Sequence, residues 1–385
     1  MVKFVGRRLL VGLVSLFVFS FVMFWLVESL IPGDYFSPFR LGMTQAEVDA
    51  LREAYGVDQP IHVRWWRWLL TFMEGGLGQS TMGGRVIYSL EAAVAPTVFV
   101  FVAGLVIAYG IGQWLGRTTA WSGGLRSDSI TLAGVSLSTL FPPFVGFLVT
   151  TVLGLRLRQL RARFFEENRR DLWFEAPLTE TQFLNRMTVA LVVGMIVAAL
   201  AGSLWWRLRR TRLGPGMQFS IAVVVTFGLW EAMGITPWAL DMLFEAALPL
   251  IAFIVLAFGE FMLIMQAGVV GQLNEDYVGT ARAKGLRERV IRDRHASKNA
   301  VLALVARLAV SIPYLMTGLV IIERAIGWPG IGSMLFAAID SQDIPVVISV
   351  LMVIGIVTML TRLALDILTL ALDPRIARPA EALKS

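Results

Sequence analysis

The stretch NEDYVGTARAKGLRERVIRDRHASKN, Asn274 to Asn299, stands between two apolar runs, about Ala246–Val270 and about Val301–Ile322. It is the most charged segment of an otherwise apolar chain. A helix crossing a hydrocarbon core takes roughly 20 apolar residues, so the segment is a hydrophilic excursion from a membrane. Asn274 is placed to cap a first short helix, with Glu275 and Asp276 at the positive end of its dipole and Arg282 and Lys284 at the other. Gly285 offers the left-handed conformation that ends helices, and Glu288 opens a second helix that continues into the next apolar run. The expectation is a helix, a turn and a helix projecting from the bilayer.

Outward from this segment, the chain is 56% hydrophobic and only 16% charged, with a mean hydropathy of +0.69. These values lie far from those of soluble domains. The apolar runs are continuous rather than alternating, which excludes an outer-membrane barrel and predicts an all-α integral membrane protein, a polytopic helical bundle. With no cysteine there is no disulfide, thiolate metal site or cysteine nucleophile. His62 and His295 fall in different loops, and no acidic or histidine cluster has metal-ligand spacing. The net charge of +6 reflects orientation and headgroup contact rather than nucleic acid. None of Lys3, Lys284, Lys298 or Lys384 lies in a phosphate-binding G-x-x-x-x-G-K-[ST] context, and no serine lies in G-x-S-x-G. The chain is therefore expected to bind no cofactor, to catalyse nothing, and to draw any energy from elsewhere.

In chain order, residues 1–31 hold a cytoplasmic amino terminus and a first span, about Leu9–Val27, whose length and lack of a small-x-small site argue against a cleaved signal peptide. Residues 32–91 form an extracytoplasmic loop with short amphipathic helices: Thr44 and Glu47 have capping-box spacing and Gly56 is a stop. Trp65, Trp66 and Trp68 there suit either the loop's own small core or the membrane interface. Residues 92–154 carry the second and third spans, about Ala92–Leu115 and Ile130–Gly154, the latter kinked or split by Pro142 and Pro143. Residues 155–243 contain two further spans, about Val189–Trp206 and Phe219–Ile235. Ahead of them lies an arginine-rich loop, 155–186, with Arg156, Arg158, Arg161, Arg163, Arg169 and Arg170, which alternation puts outside against the positive-inside rule. Residues 244–385 carry spans at about Ala246–Val270, Val301–Ile322 and Val346–Leu372, with the charged loop at 271–300 between the first two and a short cytoplasmic carboxyl terminus. The total is about eight spans.

Glu260 is the acidic residue deep inside a span, and a carboxyl group in lipid is costly enough to be a functional candidate. It either contacts a solute or proton in a pathway or bonds to a neighbouring helix or subunit.

The residues Asp276-Tyr277-Val278, Thr280-Ala281-Arg282-Ala283-Lys284-Gly285-Leu286, Arg294-His295-Ala296 and Asn299-Ala300 closely resemble the cytoplasmic loop of ABC-importer permeases of the oligopeptide, dipeptide and nickel class. Arg7-Arg8-Leu9-Leu10, Pro32-Gly33-Asp34, Tyr55-Gly56-Val57-Asp58-Gln59-Pro60, Gly76-Leu77-Gly78-Gln79-Ser80, Trp328-Pro329-Gly330-Ile331-Gly332, Pro345-Val346-Val347 and Leu372-Asp373-Pro374-Arg375 match further landmarks. The resemblance implies a multi-pass subunit of the prokaryotic inner membrane, both termini cytoplasmic. It also implies a second homologous permease subunit, two cytoplasmic ATP-binding subunits that hydrolyse the ATP, and an extracytoplasmic solute-binding protein. Asp276, Tyr277, Thr280, Ala281, Arg282, Lys284, Gly285, Leu286 and Glu288 carry over as coupling-loop positions, and Trp328, Pro329, Gly330 and Gly332 as an outer-loop motif. Two departures stand out within the loop: Gly279 where arginine is common, and Ala303 where a closing proline is usual, so that the second helix is expected to run unbroken into the membrane. Such permeases have six spans, so 155–243 reads as an inserted pair, which as an even number keeps the loop's side unchanged. Peptides are the foremost solute class under this resemblance. An ion-coupled secondary transporter using Glu260, and a non-transporting scaffold with the basic loop on lipid headgroups, are the alternatives.

Overall fold

A computed structural model describes residues 2–30, 44–56, 58–78, 80, 84–165, 169–209 and 215–372. The landmarks at Pro32-Gly33-Asp34 and Asp373-Pro374-Arg375, the basic turn at Arg210 and Arg212, and the terminal Arg378 and Lys384 lie outside the described residues. Helices account for nearly all the rest. They are α1 (Val2–Leu30), α2 (Gln45–Tyr55), α3 (Ile61–Met73), α4 (Val86–Ser122), α5 (Gly124–Ser138), α6 (Pro142–Phe165), α7 (Arg169–Phe174), α8 (Glu180–Arg209) and α9 (Pro215–Ala232). The remainder are α10 (Thr236–Val270), α11 (Asp276–Ala283), α12 (Glu288–Val290), α13 (Ser297–Ile326), α14 (Ile331–Asp340) and α15 (Ile344–Leu372), with a π turn, Ile291–Ala296, joining α12 to α13.

Among the described residues, α1, α4, α8, α10 and α15 are long and apolar enough to cross a membrane. The α5–α6 and α13–α14 pairs qualify only as bent units, at 109° and 69°, and α9 is a shorter apolar helix. The chain is thus an all-α polytopic membrane protein. The expected apolar runs are largely helical, with helices that commonly extend beyond them, and the differences around α6 and α10 are the largest. The run Ile130–Gly154 is not one straight crossing: the helix stops at Ser138 and restarts at Pro142, where a proline without an N–H fits the first turn. α6 continues past Gly154 to Phe165, and α10 starts at Thr236 rather than near Ala246. Both extensions have one cause. Arg161 of α6 donates from Nε and Nη2 to the Asp241 carboxylate at 2.7 and 2.9 Å, and from Nη1 to Glu245 at 2.8 Å. Charges that argue for loops when read singly are neutralised across two helix ends.

The centre of the bundle is α4 against α10. Gly104, Ala108, Gly112 and Gly116 recur every fourth residue along the buried face of α4, so α10 comes in close: a Cβ on Gly112 would stand 2.8 Å from the Phe258 carbonyl oxygen. In a bilayer such small-residue faces supply the van der Waals contact that drives helix association. α13 packs on α10, α15 on α13, and α1 on α15. α8 and α9 pair chiefly with each other and reach the bundle through the flank of α4. Trp173 and Phe183 meet edge-on, and Phe183 stacks on Trp238. Trp173 Nε1 also donates to Asp241 at 2.8 Å, tying 155–186 to α10.

The α2 capping box forms as expected: the Thr44 N–H donates to Glu47 at 2.8 Å, and Gly56 closes the helix at φ 64°. Trp65 is buried against α1, between Phe17 and Phe21, with Nε1 donating to Ser20 Oγ at 3.2 Å; Trp66 is exposed.

Candidate functional site

Two ends and one midpoint of the bundle carry the residues singled out by sequence. At the loop end, α10 gives way to turns, and α11 begins at Asp276 with Glu275 in the capping position. Asn274 therefore does not cap. The intervening residues continue α10 as turns, Gln272 N–H to Val269 and Leu273 N–H to Val270, and Tyr277 Oη reaches back to Gln272 Oε1 at 2.7 Å. The helix ends as expected at Gly285, φ 73°. Gly285 N–H donates to the Arg282 carbonyl and Leu286 N–H to that of Ala281, at 2.9 and 3.3 Å, the bond pair of a glycine-terminated helix. From Glu288 the backbone stays helical through the π turn into α13 without a break, in keeping with alanine at position 303.

The loop has a seated side and an open side. Val278, Ala281 and Ile291 are buried together against Trp121 at the end of α4. The Arg282 guanidinium lies 5.6 Å over that tryptophan ring and donates to Glu288 at 2.9 Å, while Arg117 of α4 stands 3.7 Å from Asp293. Facing outward are Asp276, Gly279, Thr280, Ala283, Lys284, Gly285, Leu286, Arg287 and Arg289. A Cβ on Gly285 would meet nothing within 4 Å. The result is a braced projection with a solvent-facing tip.

At the far end, the structure folds the Trp328–Gly332 landmark around an acid that the sequence did not single out, and two further landmarks meet in the same region. Glu323, near the end of α13, is fully buried. Its carboxyl group accepts hydrogen bonds from Thr97 Oγ1 of α4 and from the Gly332 N–H, both at 2.7 Å, and Thr97 Oγ1 in turn accepts from the Ile331 N–H at 2.8 Å. The first N–H groups of α14, which have no partner inside their own helix, are thereby met. Gly330 and Gly332 are dictated by this approach: a Cβ on the first would overlap the Glu323 carboxyl group and on the second the Val320 carbonyl. Trp328 is buried beside them, its backbone N–H donating to the Glu323 backbone carbonyl at 2.9 Å. Pro329 sits in the turn between α13 and α14. Next to this clamp, Ser80 Oγ donates to the Asp343 carboxylate and Ser349 Oγ to the Leu77 carbonyl at 3.0 Å, so the Gly76–Ser80 and Pro345–Val347 landmarks are also neighbours.

Between the ends, Glu260 of α10 is partnered by α13: Ser311 Oγ donates to its Oε1 at 2.5 Å, and Arg307 Nε lies 3.7 Å from the same oxygen. Sequence reasoning offered no partner because both lie half a hundred positions downstream in another helix.

Comparison with known proteins gives this arrangement its relatives. Residues 186–378 match the family of the binding-protein-dependent transport system inner membrane component. Residues 1–84 match the N-terminal region of such membrane components. A protein of Brucella ovis named as a peptide permease is 30% identical over 98% of this chain and 99% of its own length. The oligopeptide transport system permease protein of Mycobacterium bovis is 28% identical, with 98% and 99% covered. The glutathione transport system permease protein of Salmonella paratyphi A is 25% identical over the same shares. With the family matched across half the chain and a relative at 30% identity along nearly all of it, the chain belongs to the inner membrane components of binding-protein-dependent transport systems, as an ABC-importer permease of the peptide class.

Proposed function

We propose that the chain forms part of the translocation path of an ATP-driven importer for peptides or a similar small solute. An extracytoplasmic binding protein delivers the solute, a second homologous permease completes the path, and two cytoplasmic ATP-binding subunits seat on Asn274–Asn299. This orientation puts both termini in the cytoplasm of a prokaryotic inner membrane, with α14 and the Glu323 clamp outside. The relatives' names support the solute class. The arrangement of the loop supports the coupling role most directly. Its back is fixed to α4 by Val278, Ala281, Ile291 and Trp121, while Thr280, Lys284, Gly285 and Leu286 stand clear for a partner. Closure of the ATP-binding subunits then moves a braced lever, and two packed arrangements of the bundle alternate access to the path. Residues 155–243, whose α8 and α9 lie to the side of α4, serve as a lateral addition to this core. Against the ion-coupled alternative stands the position of Glu260, fixed by Ser311 beside the Arg307 cation rather than left as an isolated proton carrier.

The test is Gly285→Trp in the reconstituted importer. The expected result is normal membrane insertion and loss of both peptide uptake and co-purification with the ATP-binding subunits. Uptake at the wild-type rate would refute the docking role of this loop.

A further inference from the structure

Arg307 is a charged residue on a helix of the bundle, yet its side chain is 58% exposed. α10 and α13 run antiparallel in a register fixed by Gly268 against Ala300 and Gly318 against Leu256. At 1.5 Å per residue, Glu260 lies roughly 15 Å from the end of α10 at Val270, and Arg307 roughly 9 Å into the apolar run that begins at Val301. The pair therefore lies inside the apolar runs of both helices, Arg307 nearer the loop end. Cations at such depth turn toward the bundle interior or a water-filled cavity and away from lipid, because lipid offers them no partner. The neighbours on the same face agree. Positions 307, 310, 314 and 317 form one stripe of α13, and its exposed residues are Arg307, Val310, Tyr314 and Thr317, three of them polar.

We infer that Glu260 and Arg307, with Ser311 behind them, form a paired-charge subsite on the wall of the translocation path that takes the charged ends of a zwitterionic peptide in passage. This rests on the peptide-importer function proposed above. Ser311 is buried and holds the Glu260 carboxylate, which at 26% side-chain exposure stays partly open beside the guanidinium. The 3.7 Å contact involves Arg307 Nε, which leaves the fork of terminal N–H groups for a bidentate peptide carboxylate, the geometry that guanidinium recognises best. Glu260 suits the peptide ammonium. Because the pair is close to neutral overall, it holds a zwitterion without trapping it, as a conducting path requires.

The absence of cysteine from the chain makes the test direct. Arg307→Cys, Tyr314→Cys and Thr317→Cys each place a single thiol on this subunit of the reconstituted importer. All three are expected to react with a charged, membrane-impermeant methanethiosulfonate, more slowly when peptide-loaded binding protein and ATP are present. Reaction with a lipid-soluble maleimide alone, or with neither reagent, would place the stripe against lipid or in a subunit contact and overturn the inference. A second measurement addresses the ligand. Losing one charge-assisted bond corresponds to about tenfold in affinity, so Arg307→Gln is expected to raise KM about tenfold for a peptide with a free carboxyl terminus and to leave its amidated counterpart unchanged, with Arg307→Lys in between. Equal loss for both peptides would make the pair a structural staple between α10 and α13 and overturn the inference while the importer function stands. Wild-type importer that takes up no peptide would instead refute the proposed function.

Discussion

Replacing Glu323 by glutamine puts the far-end clamp to a quantitative test. The side chain is fully buried, and its carboxyl oxygens accept from Thr97 Oγ1 and Gly332 N–H, both at 2.7 Å. Glutamine keeps the shape but offers one oxygen and one NH2: the oxygen can keep the Gly332 N–H, and the NH2 must donate to Thr97 Oγ1, whose hydroxyl hydrogen then turns to the Ala93 carbonyl at 3.2 Å, so the bonds to the carboxyl group become bonds to a neutral amide. A hydrogen bond to a charged group contributes about 1.5–3 kcal/mol, against about 0.5–1.5 kcal/mol for a neutral one. The neutral amide is easier to bury than a carboxylate, which offsets part of that loss, so the net destabilisation is expected at about 1–3 kcal/mol. Unfolding by sodium dodecyl sulfate in mixed micelles, followed by circular dichroism, measures it. The decisive quantity is the coupling between Glu323→Gln and Thr97→Val. Groups in one hydrogen-bond network couple by about 0.5–3 kcal/mol, whereas independent sites add. Additivity of the two single variants would refute the clamp. Gly332→Ala supplies an independent check: its Cβ collides with backbone at Val320 rather than with a flexible side chain, so α14 must shift, and the variant is expected to lose at least as much stability as Glu323→Gln.

Two further outcomes follow from the geometry. Arg161→Met should cost about 3–5 kcal/mol by leaving the buried Asp241 without its guanidinium, while Arg161→Met with Asp241→Leu should recover most of that, since an apolar pair can replace a buried ion pair at little loss; the same denaturation assay decides. In the α2 capping box, the Thr44 N–H holds the exposed Glu47 carboxylate below its ordinary pKa of 4.5. The stability that a depressed folded-state pKa contributes is fully present above the ordinary value and is lost as the pH falls through the lowered one. Amide protection of α2, corrected for intrinsic exchange, should therefore drop between about pH 5 and 3 in the wild type and drop less over that range in Glu47→Gln.

How much of this was legible in the sequence follows from the range of each interaction. The turn at Gly285, the capping box at Thr44 and Glu47, and the break near Pro142 and Pro143 are set by residues a few positions apart, and each appears where expected. Asn274 failed as a cap for an equally local reason: the turns that continue α10 occupy that position. The helix limits at Phe165 and Thr236 were out of reach because Arg161 and Asp241 cancel each other across 80 positions, and either charge alone argues against an apolar helix. Glu323 was hidden in the same way. It stands just past the end of the apolar run at Ile322, where a charge is unremarkable, although an acid shortly before Trp328-Pro329-Gly330-Ile331-Gly332 is a usable signal: glycines at both 330 and 332 leave room for a side chain to reach a helix N-terminus. The recurrence of small residues from Gly104 to Gly116 was a second unread signal, one that would have named the α4 face on which α10 packs.

These elements lie along one continuous path. From Glu288 to Ile326 the helical backbone leads from the projecting loop, past the Arg307–Glu260 contact, to the Glu323 clamp. Two places along it are mechanically soft. The π turn at Ile291–Ala296 departs from regular helical bonding, and Pro313 cannot donate to the carbonyl one turn earlier. Arg307 and Ser311 lie between them, whereas Glu323 lies beyond Pro313 and is held by α4 and α14. A displacement imposed on a docked loop therefore bends first in the segment that carries the paired charges, with the clamp as its fixed end. Two classes of variant must then separate by readout. Gly285→Trp should abolish uptake and partner binding at a stability cost limited to the strained left-handed backbone, about 1–2 kcal/mol, because a side chain there meets open space; partner binding, not the midpoint, is the readout that separates the two. Glu323→Gln should lower the midpoint while the loop still binds its partner. Loss of partner binding in Glu323→Gln would mean that the clamp sets the loop position, and the segment between the soft points would then have to be rigid.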